Sequence, residues 1–308
     1  MNRTLPQSAL AGLAGGLLFA AFVYVPALGF LLLQISVAPL LVAGLRHGLA
    51  GILPAAGVAL LVTAALMPGV VLPVYAVVDL LPAVLVSALA LRVVAAPGDG
   101  SPLWYPPGRI LAWVSLLGLA LLALFALGIP AGQGGIEAVV SGAVREAVDG
   151  LLVETSPDLR EQILAGVPVY LPGTFLASWI SRVALCAVLA QWWVTKRGGA
   201  VRPTPVYGAL DLPSWLVGAF LICAAGALVL KGDAGYMAVN AAMGLMVPLV
   251  FMGLVLVHAA ARQLPHPGIG LIGFYMLFVL GSAVAIAAVA FAGLVEFAIR
   301  RRPSPGGA

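Results

Sequence analysis

Tyr170-Leu171-Pro172-Gly173 opens, and Gln191-Trp192-Trp193-Val194-Thr195-Lys196-Arg197 closes, an apolar run from Val167 to Arg197 on which the reading of the chain turns. The closing pattern is that of a membrane interface: tryptophans at headgroup depth, then basic residues on the cytoplasmic side. In the middle of the run stands Arg182. A charge near a bilayer centre costs about 2.5–3.5 kcal/mol on insertion scales, so it faces a bundle interior or a wet cavity and needs a partner.

The rest of the chain agrees with a membrane reading. Of its 308 residues 63% are hydrophobic and 8% charged, with a mean hydropathy of +1.14, whereas soluble domains are about 25% charged. A soluble core is excluded, and continuous apolar runs without two-residue alternation argue against a β-barrel. The expectation is an all-α, polytopic integral membrane bundle. The formal charge of +4 comes from basic residues scattered at helix ends and from Arg300-Arg301-Arg302. That pattern points to anionic lipid and away from nucleic acid. Cys186 and Cys223 lie in apolar segments without CxxC spacing and read as packing residues.

Candidate crossings fall at 9–25, 30–46, 49–66, 71–94, 110–130, 168–195, 212–230, 237–261 and 268–298, each near the ~20 residues a bilayer requires. Met1–Gly29 resembles a signal peptide in composition, but apolar segments follow it directly, and it reads as a first anchor helix. Arg3, Arg46, Arg92, Arg109, Lys196, Arg197, Arg202 and Arg262 fall on one side, the cytoplasm by the positive-inside rule. Lys231 and the acidic loop Ala131–Gly166 fall outside. Nine crossings would leave Arg300–Arg302 outside. Either Ile269–Ile299 is one tilted helix, or it breaks at Gly281-Ser282 and returns the arginines to the cytoplasm. The count is therefore eight or nine transmembrane helices.

The loop carries Glu137, Glu146, Asp149, Glu154, Asp158 and Glu161 against Arg145 and Arg160. Within it Ile136, Val139, Val140, Ala143, Val148 and Leu151 recur at helical spacing, which predicts an amphipathic helix on the membrane surface or capping the bundle. Ser156-Pro157-Asp158 predicts the start of a second short helix. A solvated connector and a lid over a binding site both fit this loop.

Asp79, in Val78-Asp79-Leu80-Leu81-Pro82, is the second mid-membrane charge. Arg92 follows it by thirteen residues and Lys196 follows Arg182 by fourteen, so both charges lie roughly 20 Å from the inner basic anchors. Opposite sign at equal depth predicts a pair. Pro82 removes the amide that would bond the Val78 carbonyl, leaving an acceptor beside Asp79. A buried ion pair locking two helices and a polar site for a small ligand remain open. In the second case Asp79 and Arg182 are the centre, and Tyr75, Trp179 and Tyr170 its walls.

Asn240 reads as a helix contact, His258 as an interface residue, Gln34 as solvated, and Glu296 with Arg300 as an i,i+4 pair. Gly12, Gly16 and Ala20 form a stripe that lets another helix approach closely, inside the bundle or from a partner. The sequence holds no HExxH, Walker A loop, GxSxG elbow or metal-spaced His/Cys cluster. No catalytic residue, metal or cofactor is assigned, and the chain is read as a non-enzyme.

Tyr170-Leu171-Pro172-Gly173 through Leu189-Ala190-Gln191, Leu212-Pro213-Ser214-Trp215, and Gly293-Leu294-Val295-Glu296-Phe297 followed by Arg300 resemble the YybS-like predicted membrane proteins. That bacterial family has no established function, and its pattern often carries Asp where Glu296 stands here. The first six helices are distantly similar to the S components of energy-coupling-factor transporters, through the stripe of the first helix and the Pro39, Gly44, Gly48, Gly51 run. This resemblance implies residues 1–200 as a six-helix bundle with a ligand pocket and a coupling subunit gripping the first helix. Residues 201–308 are then an extension of two or three helices. The implied protein sits in a bacterial inner membrane and takes up or binds a small solute; the alternative is a non-transporting scaffold or assembly factor.

Overall fold

The computed structural model describes residues 4–95, 102–130, 132–151 and 156–301. Arg3, Glu154 and Arg302, and the side chain of Leu151, lie outside them. The chain is helical almost throughout: α1 Thr4–Tyr24, α2 Pro26–Leu33, α3 Val37–His47, α4 Leu49–Leu66, α5 Val71–Tyr75, a π-turn Ala76–Leu80 and α6 Leu81–Ala90. A short antiparallel hairpin, β1 Val93–Ala95 with β2 Leu103–Trp104, ends the fourth predicted crossing early. Then come α7 Pro107–Leu127, α8 Ile136–Leu151, α9 Pro157–Lys196, α10 Ser214–Val229, α11 Gly232–Ala261, α12 Pro267–Leu280 and α13 Ser282–Arg300. Among the described residues eight helical segments are long and apolar enough to cross a membrane, which is compatible with an integral, multi-pass membrane protein. The predicted crossing 212–230 is shorter, at 16 residues.

The residues divide into two compact units drawn from both sides of residue 200. Unit 1 is Met1–Val114 with Ser181–Tyr207, and unit 2 is Ser115–Ile180 with Gly208–Ala308. The long helices α7 and α9 each contribute residues to both.

In unit 1, α1 packs on α4 through the small-residue stripe. A Cβ at Gly12 would lie 2.2 Å from the Ala55 carbonyl oxygen, and one at Gly16 would lie 2.9 Å from Val62 Cβ. Ala20 is buried in the same interface region. The stripe is thus occupied within the unit, the internal one of its two expected uses. Val37, Leu40, Leu41, Ile52, Ala55 and Ala59 make the core.

Two of the spans in unit 1 are interrupted. The predicted crossing 30–46 is α2 and α3 with a break over Gln34–Ser36. There Gln34, Ile35 and Ser36 donate to carbonyls three residues back, a tightened 3₁₀-type pattern. Pro39 has no amide to give the Ile35 carbonyl, which takes the Ala38 amide at 3.0 Å instead. In the next span the Leu81 amide donates five residues back to Ala76, one residue before Pro82, producing the π-turn.

In unit 2, α8 lays Ile136, Val140, Val144 and Val148 against Tyr236, Ile163 and Leu164. The predicted amphipathic helix is there and packs back on the unit; Val144 belongs to its buried face and Ala143 does not. The short helix expected at Ser156-Pro157-Asp158 is not separate. It starts as predicted, then continues through Pro168 and Pro172 to Lys196 as a 40-residue helix. The last predicted crossing breaks at Gly281-Ser282, where Ser282 has φ 45°. Arg300 donates to Leu210 O at 3.0 Å and Arg301 to Leu212 O at 2.8 Å. These arginines therefore share the end of unit 2 at which the chain enters α10.

Candidate functional site

The two interruptions of unit 1 meet at Arg182. Its Nη2 donates to Asp79 Oδ1 at 2.7 Å and to Val78 O at 3.0 Å. Its Nη1 donates to Leu33 O at 3.1 Å and to Ser36 Oγ at 3.3 Å. Asp79 is fully buried and Arg182 is 8% exposed. The expected pair exists, and so does the expected acceptor at Val78. Sequence reasoning missed Ser36 and Leu33. A serine three residues before Pro39, in mid-span, was the available signal: polar side chains and unbonded carbonyls gather where a proline opens a helix.

Proton bookkeeping closes around Ser36. Its hydroxyl has one proton and two acceptors in reach, Asp79 Oδ2 and, at 3.0 Å, Leu33 O. The carboxylate is the stronger acceptor, and Leu33 O already receives Arg182. Both Asp79 oxygens and both Arg182 terminal nitrogens are then satisfied. That matters because burying an ion pair is tolerable only with such complete hydrogen bonding. Cys186, one turn beyond Arg182, donates its thiol to Gln34 O at 3.3 Å, so Gln34 belongs to the helix break.

Tyr75 is also in unit 1. It is fully buried with its ring 4.6 Å from that of Phe19. A Cβ on Gly15 would lie 3.4 Å from Tyr75 Oη and 3.2 Å from Ser36 O, so the glycine leaves room where hydroxyl and carbonyl face the same spot. Among the described residues Tyr75 Oη has no hydrogen-bond partner, a property it shares with the hydroxyls of Ser8, Thr63 and Ser87 in the same unit. The other two expected wall residues belong to unit 2. Trp179 is buried there near Gly118, and Tyr170 is 53% exposed.

Unit 2 holds a second polar centre built on the same chemistry. Pro172 deprives Pro168 O of its amide partner, and Tyr236 Oη donates to that oxygen at 2.7 Å. Asn240, fully buried, accepts the Gly173 amide at 2.6 Å and donates to Val169 O at 3.0 Å and Tyr236 O at 2.9 Å. Asn240 is the helix contact expected of it. Its effect is to splice the proline-opened stretch of α9, which is why this helix runs on where the sequence suggested a boundary.

Glu296 and Arg300 pair at 2.6 Å as expected, and His258 bonds its own helix at Leu254 O. Among the described residues no three His, Cys, Asp or Glu side chains come together as a metal site. No protein-family model, curated protein or solved structure matches the chain.

Proposed function

We propose that the chain is a multi-pass integral membrane protein that binds a small polar solute at the interrupted spans of unit 1, in the manner of a transporter S component. The observation that carries this reading is the meeting of two broken helices at one buried charge pair, with Tyr75 Oη left unpartnered nearby. Discontinuous helices whose free backbone groups converge at mid-membrane are the recurring way membrane carriers build substrate sites. The YybS-like and S-component resemblances rest on the residues quoted above and imply a bacterial inner membrane. In that frame the connector 197–213 is cytoplasmic, and the bonds of Arg300 and Arg301 to Leu210 and Leu212 support the same side for the C-terminal arginines.

A second reading has its own support. Asp79 and the terminal nitrogens of Arg182 are satisfied inside the protein, as a permanent clamp in a non-transporting scaffold would be. Tyr75→Phe separates the two, because it leaves the clamp intact. Purified wild type and Tyr75→Phe are screened by thermal shift against a library of small polar solutes, with native mass spectrometry for co-purified molecules. A solute that stabilises the wild type but not Tyr75→Phe supports the binding site. No solute response, with a protein partner retained by both forms, selects the scaffold.

A further inference from the structure

Arg202 is the second buried guanidinium of unit 1, and its situation is the reverse of Arg182's. It is 6% exposed. Its Nη1 donates to two carbonyls, Ala90 O at 2.9 Å and Tyr105 O at 3.3 Å. Among the described residues its Nε is buried with no partner, and both of these hydrogen bonds are made by Nη1 rather than Nη2. No carboxylate pairs with it among the described residues. The sequence explains why. Unit 1 contains Arg3, Arg46, Arg92, Arg109, Arg182, Lys196, Arg197 and Arg202 against only Asp79 and Asp99. Asp79 is committed to Arg182, and Asp99 lies outside the described residues.

The side chain is nonetheless held in place. Trp104 covers the guanidinium at 5.9 Å from ring centre to Cζ, a cation–π distance. Gln191 Nε2 donates to Arg202 O at 3.1 Å and to Thr195 Oγ1 at 3.2 Å, fixing the backbone of the connector. Arg92 lies 6.0 Å over the ring of Tyr105, whose carbonyl Arg202 uses, so a second cation is close. Burial pushes the Arg202 guanidinium below its ordinary pKa, the direction expected of a cation lacking counter-charge.

We infer that the Nε–Nη2 edge of Arg202 binds a phosphate group through two of its oxygens. A buried cation whose remaining donors form one straight edge calls for a planar pair of acceptors on one centre, which is the bidentate geometry arginine gives phosphates and carboxylates. Phosphate is favoured over a protein carboxylate by the scarcity of acids in unit 1. It is favoured also by the neighbouring Trp192–Lys196 and Trp193–Arg197 pairs, at 4.9 Å and 4.8 Å, which are anchors of headgroup depth. The same oxygens are offered by a free phosphate and by the headgroup of an anionic phospholipid.

The test uses the full chain in maltoside detergent micelles, which carry no phosphate. Inorganic phosphate is titrated against potassium chloride of equal ionic strength, and thermal stability is followed. In a parallel arm phosphatidylglycerol is added to the micelles without added phosphate. A rise in Tm with phosphate but not with chloride identifies a free-phosphate site. A rise only with phosphatidylglycerol, with that lipid retained in native mass spectra, identifies a headgroup site. In either case Arg202→Gln, and to a lesser degree Arg202→Lys, weakens the response by about tenfold in apparent affinity, the scale of one bidentate contact. The wild-type arms decide the matter even if Arg202→Gln does not fold. No wild-type response in either arm overturns the inference, as does an Arg202→Gln protein that responds like the wild type. A response to phosphate by Asp99→Asn but not by the wild type would show Asp99 to be the natural counter-charge and also overturn it.

Discussion

Arg182 reaches past the Asp79 carboxylate to the carbonyl oxygen of Val78, 3.0 Å from Nη2. Pro82, four residues on, has no amide to give it. The charge on one helix thus repairs the backbone of another, and the carboxylate beside it neutralises the charge.

Asp79 and Arg182 are expected to behave as one energetic unit. Asp79→Asn or Arg182→Gln alone should cost about 3–5 kcal/mol, because each strands a buried partner. The double variant should lose less than the sum of the singles. Denaturation in detergent, read as a double-mutant cycle, measures the coupling; additive losses would mean that the two are not partners.

Two glycines separate packing from helix propensity. Gly12→Ala puts a methyl 2.2 Å from Ala55 O, a backbone atom that cannot swing away. A loss of about 1–3 kcal/mol is expected, the usual cost of overpacking. Gly57→Ala, on the α4 helix that Gly12 faces, meets nothing within 4 Å. It should be neutral or stabilising by up to about 1 kcal/mol, since alanine loses less backbone freedom. Equal effects at the two positions would refute the α1–α4 packing.

In unit 2 the role of Tyr236 depends on Pro172. Tyr236→Phe leaves Pro168 O unpaired and should cost about 1–3 kcal/mol. In a Pro172→Ala background the restored amide can serve that carbonyl, so the same change should cost clearly less. Thermal melts of the four proteins check the sign. Asn240→Ala should be worse than Tyr236→Phe in the native background, because it strands both Gly173 N–H and Val169 O.

The proposed sidedness rests on the charge pattern and on the bonds of the C-terminal arginines. With Cys186 and Cys223 replaced, a cysteine at Gly142 should label from outside the cell. Cysteines at Gly208 and Ser304 should label only after permeabilisation. Gly142 and Gly208 are chosen because neither has a neighbour that a new side chain would meet. Labelling of Ser304→Cys from outside would mean that α12 and α13 cross as one helix.

Composition and spacing were enough for the helical class, for most span positions and for the Asp79–Arg182 pairing. All of these follow from local rules: apolar length, charge cost in lipid, and depth counted along a helix. Pro82 even pointed to Val78 as an acceptor for a side chain. What only the tertiary structure decided is how the other proline-opened carbonyls are satisfied. Pro39 marks a true break, where the exposed carbonyls of Leu33 and Gln34 are taken by Arg182 and Cys186. Pro172 marks no break at all, because Tyr236 and Asn240, more than sixty residues away in sequence, bond the backbone groups around it. A proline removes the same amide in both places; whether the helix stops or continues depends on which side chain the fold brings to the vacant acceptor.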